Sequence, residues 1–208
     1  MKITIIDSGL GGAIFAKNIK YEFPELEVIL SLDKEGFPYG DKELIWLKER
    51  LIKLVEEAKT ETVLIACNTL SCIIYKFNLK FIKTVVDVVS PTTYFFNLKS
   101  YKHICILATK NTINMDIYTQ LINAKISYID ASELIKDLEK RNDFNDSLTK
   151  LISDIPQSCD VLLLGCTHLI DIKNEFRKIL KQDVISQDEI FMNFSHIKTF
   201  FIYKTIEK

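Results

Sequence analysis

The chain has 208 residues, 48% of them hydrophobic, with 27 basic and 28 acidic side chains and a net charge of −1. Neither half holds a long run of one sign, so there is no electrostatic footprint for nucleic acid or an anionic membrane surface, and no apolar stretch reaches the roughly 18 residues of a spanning helix. Five cysteines and three histidines lack the spacings of a zinc site, and the odd count favours free thiols in a reduced, cytoplasmic setting.

Residues 1–7 are too short and too early charged for a signal peptide and predict a first strand over 2–6. The turn Asp7-Ser8-Gly9-Leu10-Gly11-Gly12 follows, then helical spacing at Ile14, Phe15, Asn18, Ile19 and Phe23, stopped near Pro24. Strand, glycine loop and helix make a common anion cradle, although the same glycines would serve tight strand–helix packing. The pattern is neither a dinucleotide fingerprint nor a phosphate loop with its lysine. A second strand is predicted over 28–32, a loop with proline and glycine punctuation over 33–40, and an amphipathic helix over 44–58. The apolar run 63–66 is a buried strand ending at Cys67, followed by a helix over 70–77. Residues 84–89 read as a strand closed by Ser90-Pro91.

There the pattern restarts. Strands are predicted over 103–108, 126–129 and 161–164, the last running to Cys166. The first of these is followed by the polar turn Thr109-Lys110-Asn111-Thr112 and a helix through Tyr118 and Leu121, and further helices are predicted over 131–140, 147–153 and 170–180. The first strand and the strand at Cys67 lie about sixty residues apart, and the strand at His103 precedes that at Cys166 by nearly the same distance. This predicts an α/β protein of two similar doubly wound lobes with mainly parallel sheets and an active site in the cleft between them. The expected division is 1–90 plus 187–208 for one lobe and 91–186 for the other. Residues 188–208 are expected to form one returning helix, with Ile190, Phe191, Phe194, Ile197, Phe200 and Phe201 packed on the first lobe.

Cys67 and Cys166 thus stand at two matching strand ends. A thiol at a helix N-terminus sits near partial positive charge, which lowers its pKa and favours thiolate. Cysteine is also among the most buried residue types, so a structural role is the competing reading for each. Cys72 is one turn into its helix and Cys105 lies inside a strand. Asn68, Thr69 and Thr167 can hydrogen-bond a polar ligand. Asp7 on the Cys67 side and His168 on the Cys166 side are candidate ionisable partners. His168, two residues after Cys166, need not face that sulfur. Facing thiols have an evident use: one takes a proton from carbon while the other returns one.

Four motifs, Asp7-Ser8-Gly9-x-Gly11-Gly12, Pro38-Tyr39-Gly40, Ala66-Cys67-Asn68-Thr69 and Gly165-Cys166-Thr167-His168, resemble those of glutamate racemases in the aspartate/glutamate racemase superfamily, in order and at compatible spacing. The resemblance covers roughly residues 1–185 and implies two α/β lobes, no cofactor or metal, and a two-base mechanism interconverting L- and D-glutamate for peptidoglycan synthesis. By that similarity Cys67 and Cys166 are the acid/bases, assisted by Asp7 and His168. Asp7, Ser8, Tyr39, Gly40, Asn68, Thr69, Thr167 and His168 would surround the substrate. A second-lobe glutamate assists the thiol beside His168 in the family; Glu139 lies in the right region and is left unassigned. The resemblance further implies a homodimer acting on a small amino acid, with no nucleic-acid or membrane partner.

The chain departs from the family pattern where Leu169-Ile170 replace Tyr-Pro, Ser90 replaces an acidic residue, Leu70-Ser71-Cys72 replace small aliphatic residues, and the segment between Ile129 and Asn145 is short. These departures keep two alternatives open: a racemase of aspartate or another small acid, and a catalytically weak relative that binds an amino acid or a protein partner. A Cys–His hydrolase would leave the second cysteine unexplained.

Overall fold

The apolar run that begins the chain lies at the centre of a sheet. In the computed structural model, which describes residues 1–193, β1 (Lys2–Asp7) is flanked by β2 (Glu27–Leu32) and β3 (Thr62–Ile65), with β4 (Thr84–Asp87) outermost. The second sheet repeats this order: β5 (His103–Ala108) lies between β6 (Lys125–Asp130) and β7 (Val161–Leu164), with β8 (Asp183–Ser186) at the edge. Every pairing in both sheets is parallel. β3, β5 and β7 are buried along their whole length, which is why they read as unbroken apolar runs.

Helices cover both sheets. α1 (Leu10–Glu22), α2 (Leu44–Glu57), α3 (Asn68–Lys76) and α4 (Val89–Asn97) belong to the first half of the chain. α5 (Lys110–Met115), α6 (Ile117–Leu121), α7 (Ser132–Lys140), α8 (Asn145–Ser153), α9 (Lys173–Ile179) and α10 (Gln187–Asn193) follow. The largest buried cluster joins the halves, running from Ile65, Leu70 and Ile73 to Ile104, Met115 and Tyr118. Each fully buried side chain of this kind contributes about 1.5–3 kcal/mol, so the lobes are fused along this side.

Several elements differ from the sequence reading. The strand expected to run to Val89 ends at Asp87, whose Oδ1 accepts the N–H groups of Val89 and Ser90 and so opens α4. Pro91 sits in the first turn of α4, where a missing N–H costs nothing. The helix expected through Leu121 is broken at Asp116, which adopts a left-handed φ of 52°. After Cys166 the chain makes a short 3-10 turn, Thr167–Ile170, before α9 begins. Strand β8 has only Val184 and Ile185 as an apolar signal, and the sequence predicts no strand there. α10 packs on α1 and α4. Phe191 meets the edge of Phe15 at 5.6 Å, and Asn18 donates to Asp188 at 2.8 Å. The rest of the expected terminal helix, 194–208, lies outside the described residues. No helix among the described residues is long and apolar enough to cross a membrane.

Candidate active site

The parallel register of β1 and β3 brings Asp7 and Cys67 to the same sheet end, with Ala66 N–H donating to the Ile6 carbonyl at 3.0 Å. In the second sheet β7 and β5 do the same for Cys166, with Gly165 N–H on the Leu107 carbonyl at 2.9 Å. The two ends face each other. Cys67 and Cys166 line one cavity, together with Ser8, Tyr39, Gly40, Thr69, Thr167 and His168. Its volume is about 30 Å³, room for a water or two and far below the ~300–1,000 Å³ of ligand clefts.

The glycines of the first motif serve close packing, Gly9 and Gly11 against the second lobe and Gly12 against the end of its own strand. A Cβ on Gly11 would lie 2.4 Å from the backbone of Thr167 and His168, and one on Gly12 would lie 2.2 Å from Asp7 Cβ. α1 therefore seats its first turn directly on the 3-10 turn that follows Cys166. Gly12 against Asp7 is the strand–helix packing that the sequence allows, and Gly11 adds a contact across the cleft.

Asp7 and Asn68 stand behind the cavity wall rather than on it. Asp7 is fully buried, its carboxylate accepting Gly9 N–H at 3.1 Å and the Thr167 hydroxyl at 3.1 Å. Burial pushes its carboxyl up, opposed by the charge of His168 and by those hydrogen bonds. Asn68 is held by a buried polar group that spans the lobes: the Tyr118 hydroxyl donates to its Oδ1 at 2.6 Å and Gln187 Nε2 donates to the same oxygen at 3.0 Å. Gln187 also donates to the Tyr118 hydroxyl at 2.7 Å.

The two thiols have different surroundings. Burial pushes the Cys67 thiol well up and the Asp7 charge adds to this, outweighing the N–H groups of Leu70 and Thr69 at the helix start. The lowering expected from its helix terminus is thus overturned: the dipole is present, and desolvation exceeds it. Cys166 is half-buried, with Sγ 3.6 Å from His168 Nδ1. The imidazole does face that sulfur. His168 Nε2 meets Glu139 Oε2 at 2.7 Å, and the same oxygen accepts Leu10 N–H at 2.8 Å from the opposite lobe. Burial opposes a cation at His168, but its bonds to Cys166 and Glu139 prevail and push it up to about 10. Glu139 is correspondingly held below the usual carboxylate range: burial acts upward, and the bond to His168 outweighs it.

Tyr39 presents its ring to the cavity and turns its hydroxyl away, donating to Asp33 Oδ2 at 2.5 Å. Arg50 holds the same carboxylate through both oxygens. Asn111 of the second lobe donates to the carbonyls of Tyr39 and Lys42 at 2.8 and 2.7 Å. Thr69 and Thr109 meet across the cleft, oxygen to oxygen at 2.9 Å. Thr109 follows β5 as Ser8 follows β1, so the internal repeat held the signal for it. Asp33, Arg50 and Tyr118 gave none, since each acts through tertiary contacts. Among the described residues no group of three or more His, Cys, Asp or Glu could hold a metal ion.

No protein-family model matches the sequence. A glutamate racemase of Buchnera aphidicola subsp. Schizaphis graminum is 32% identical over 221 residues, covering 98% of this chain and 86% of that relative. The structure of a glutamate racemase from Francisella tularensis subsp. tularensis in complex with D-glutamate has a TM-score of 0.82 at 22% identity, over 98% of this chain and 81% of that one. An aspartate racemase of Picrophilus torridus has a TM-score of 0.66 at 21% identity, over 90% and 89% of the two chains. Both structures share this two-lobed α/β fold.

Proposed function

Because the chain belongs to the glutamate racemase family, and is by that membership an isomerase, we propose that it interconverts L- and D-glutamate through Cys67 and Cys166 acting on opposite faces of the α-carbon. The observation that carries this reading is that the two thiols come from the ends of two separate sheets and line one cavity. One sulfur takes the α-proton and the opposite thiol delivers its own proton to the other face, so each turnover exchanges which cysteine is protonated. The return reaction uses the same groups in reverse.

At rest Cys67 is the proton donor, since burial and Asp7 disfavour its anion. Cys166 is assigned the base by geometry, with His168 Nδ1 beside its sulfur and Glu139 anchoring the ring. Removing the α-proton builds negative charge next to a carboxylate. Hydroxyls and N–H groups at Ser8, Thr69 and Thr167 offset it, and such preorganised donors are each worth about 3 kcal/mol in other enzymes. The D-glutamate complex of the Francisella relative supports a small acidic amino acid as substrate. Residues 1–90 with 187–208, and 91–186, are proposed as the two moving lobes. The protein is further proposed to be a cytoplasmic homodimer that supplies D-glutamate for peptidoglycan and requires no cofactor.

The test is circular dichroism of both enantiomers of glutamate and of aspartate with no cofactor added. Glutamate is expected to racemise, Cys67→Ser and Cys166→Ser are each expected to abolish it, and solvent deuterium should appear at Cα. Racemisation that survives either single substitution would rule out the two-thiol mechanism.

A further inference from the structure

The mouth of the cavity carries a feature that the thiol chemistry does not use. Lys136 on α7 and Asp41 after Gly40 both line it and meet across the lobes, Nζ to Oδ2 at 2.6 Å. Their side chains are 42% and 38% exposed, so the pair lies where the cavity opens to solvent. A half-exposed, solvent-screened pair of this kind is weak, and another carboxylate can replace Asp41 at little loss.

Lys136 and His168 are the cationic side chains on this wall. His168 is already engaged by Glu139 on one nitrogen and faces Cys166 with the other. An acidic amino acid whose α-carbon lies between the thiols brings a second carboxylate. Thr69, Thr109 and Ser132 offer that group neutral donors only, whereas Lys136 offers a charge. Position matters as well as charge. The thiols fix the α-carbon, so the distance from there to the mouth must be spanned by the substrate's own side chain. One methylene less places that carboxylate nearer the thiols and farther from Lys136.

We propose that Lys136 receives the side-chain carboxylate of the substrate, exchanging Asp41 for it as the ligand binds, and that this contact favours glutamate over aspartate. The proposal rests on the glutamate reading above, and its test separates the two. Lys136→Met and Asp41→Asn both break the ion pair, yet the exchange gives them opposite signs. Lys136→Met is expected to raise the glutamate KM and the calorimetric Kd by about tenfold or more, the loss of one charge-assisted bond, with kcat little changed and the preference over aspartate narrowed. Asp41→Asn removes the competitor and is expected to lower both constants by about twofold, the scale of a weak exposed pair. Lys136→Arg should retain most of the wild-type affinity. If both pair-breaking variants shift affinity in the same direction, the pair is only a latch between lobes and the proposal is overturned. An unchanged Kd in Lys136→Met overturns it equally. Wild-type protein that binds glutamate without turning it over refutes the racemase reading while the Kd series still decides the role of Lys136. Protein that neither binds nor turns over glutamate refutes both.

Discussion

His168 shows how much one side chain depends on what folding puts around it. Alone it would titrate near 6.5; between Cys166 and Glu139 it is pushed up to about 10. A raised folded value stabilises the native state fully below about pH 6.5, and the gain is lost as pH climbs through about 10. Thermal melts between pH 7 and 10 are therefore expected to fall for the wild type and to fall less for His168→Gln. Glu139→Gln keeps a hydrogen-bonding group on the ring but removes its charge. It is expected to lower kcat on the order of 100-fold, in line with general acid–base contributions, while leaving the fold intact by circular dichroism. The position of His168 was legible in the sequence, and its orientation was not, because the geometry of a 3-10 turn decides where the ring points. Glu139 was visible only as a residue in the right region. Its bond to Leu10 N–H, from the facing lobe, is a tertiary fact with no local signature.

At the scale of elements, the contact of α1 with the 3-10 turn depends on the absence of a side chain at Gly11. Alanine there gains about 1 kcal/mol of helix propensity but sets its Cβ 2.4 Å from backbone atoms of Thr167 and His168, which cannot swing aside. Overpacking of this sort costs about 1–3 kcal/mol. Gly11→Ala is therefore expected to lower the melting temperature in calorimetry and to reduce activity more than stability, because the turn it displaces carries Thr167 and His168. The sequence reading recovered the central strands because burial on both faces makes them continuous apolar runs. It missed β8 and α4 for opposite reasons. β8 is a short edge strand with two apolar residues, while α4 opens on an Asp87 cap followed by a proline, a pattern that also ends strands. The break at Asp116 escaped notice because the flanking apolar spacing continues through it.

For the whole molecule, the small cavity and the shared core have a joint meaning. A glutamate is larger than a cavity of about 30 Å³; the proposed parting of the lobes would admit it, while the apolar cluster from Ile65 to Tyr118 holds them together on one side. Alkylation of Cys67 by iodoacetamide should accordingly run much slower than that of free cysteine and slow further in saturating glutamate. Labelling at the rate of a free thiol would mean that the cleft stands open in solution. The two-lobed plan was legible from the internal repeat. How far the lobes share a core was not, since no periodicity in one half reports what it touches in the other.

The chain passes between the sheets twice, once through α4 after β4 and again where β8 leads into α10. At the second passage Gln187 bonds Asn68 and Tyr118, tying the return point to the residue next to Cys67 and to the far lobe. A body tethered at one point can swivel in any direction; one tethered at two keeps a single rotational degree of freedom about the line that joins them. If the proposed lobes move, separation and approach of the two sulfurs are expected to follow one arc. Under the two-thiol proposal, their alignment on the α-carbon would be set by that axis rather than found anew at each closure.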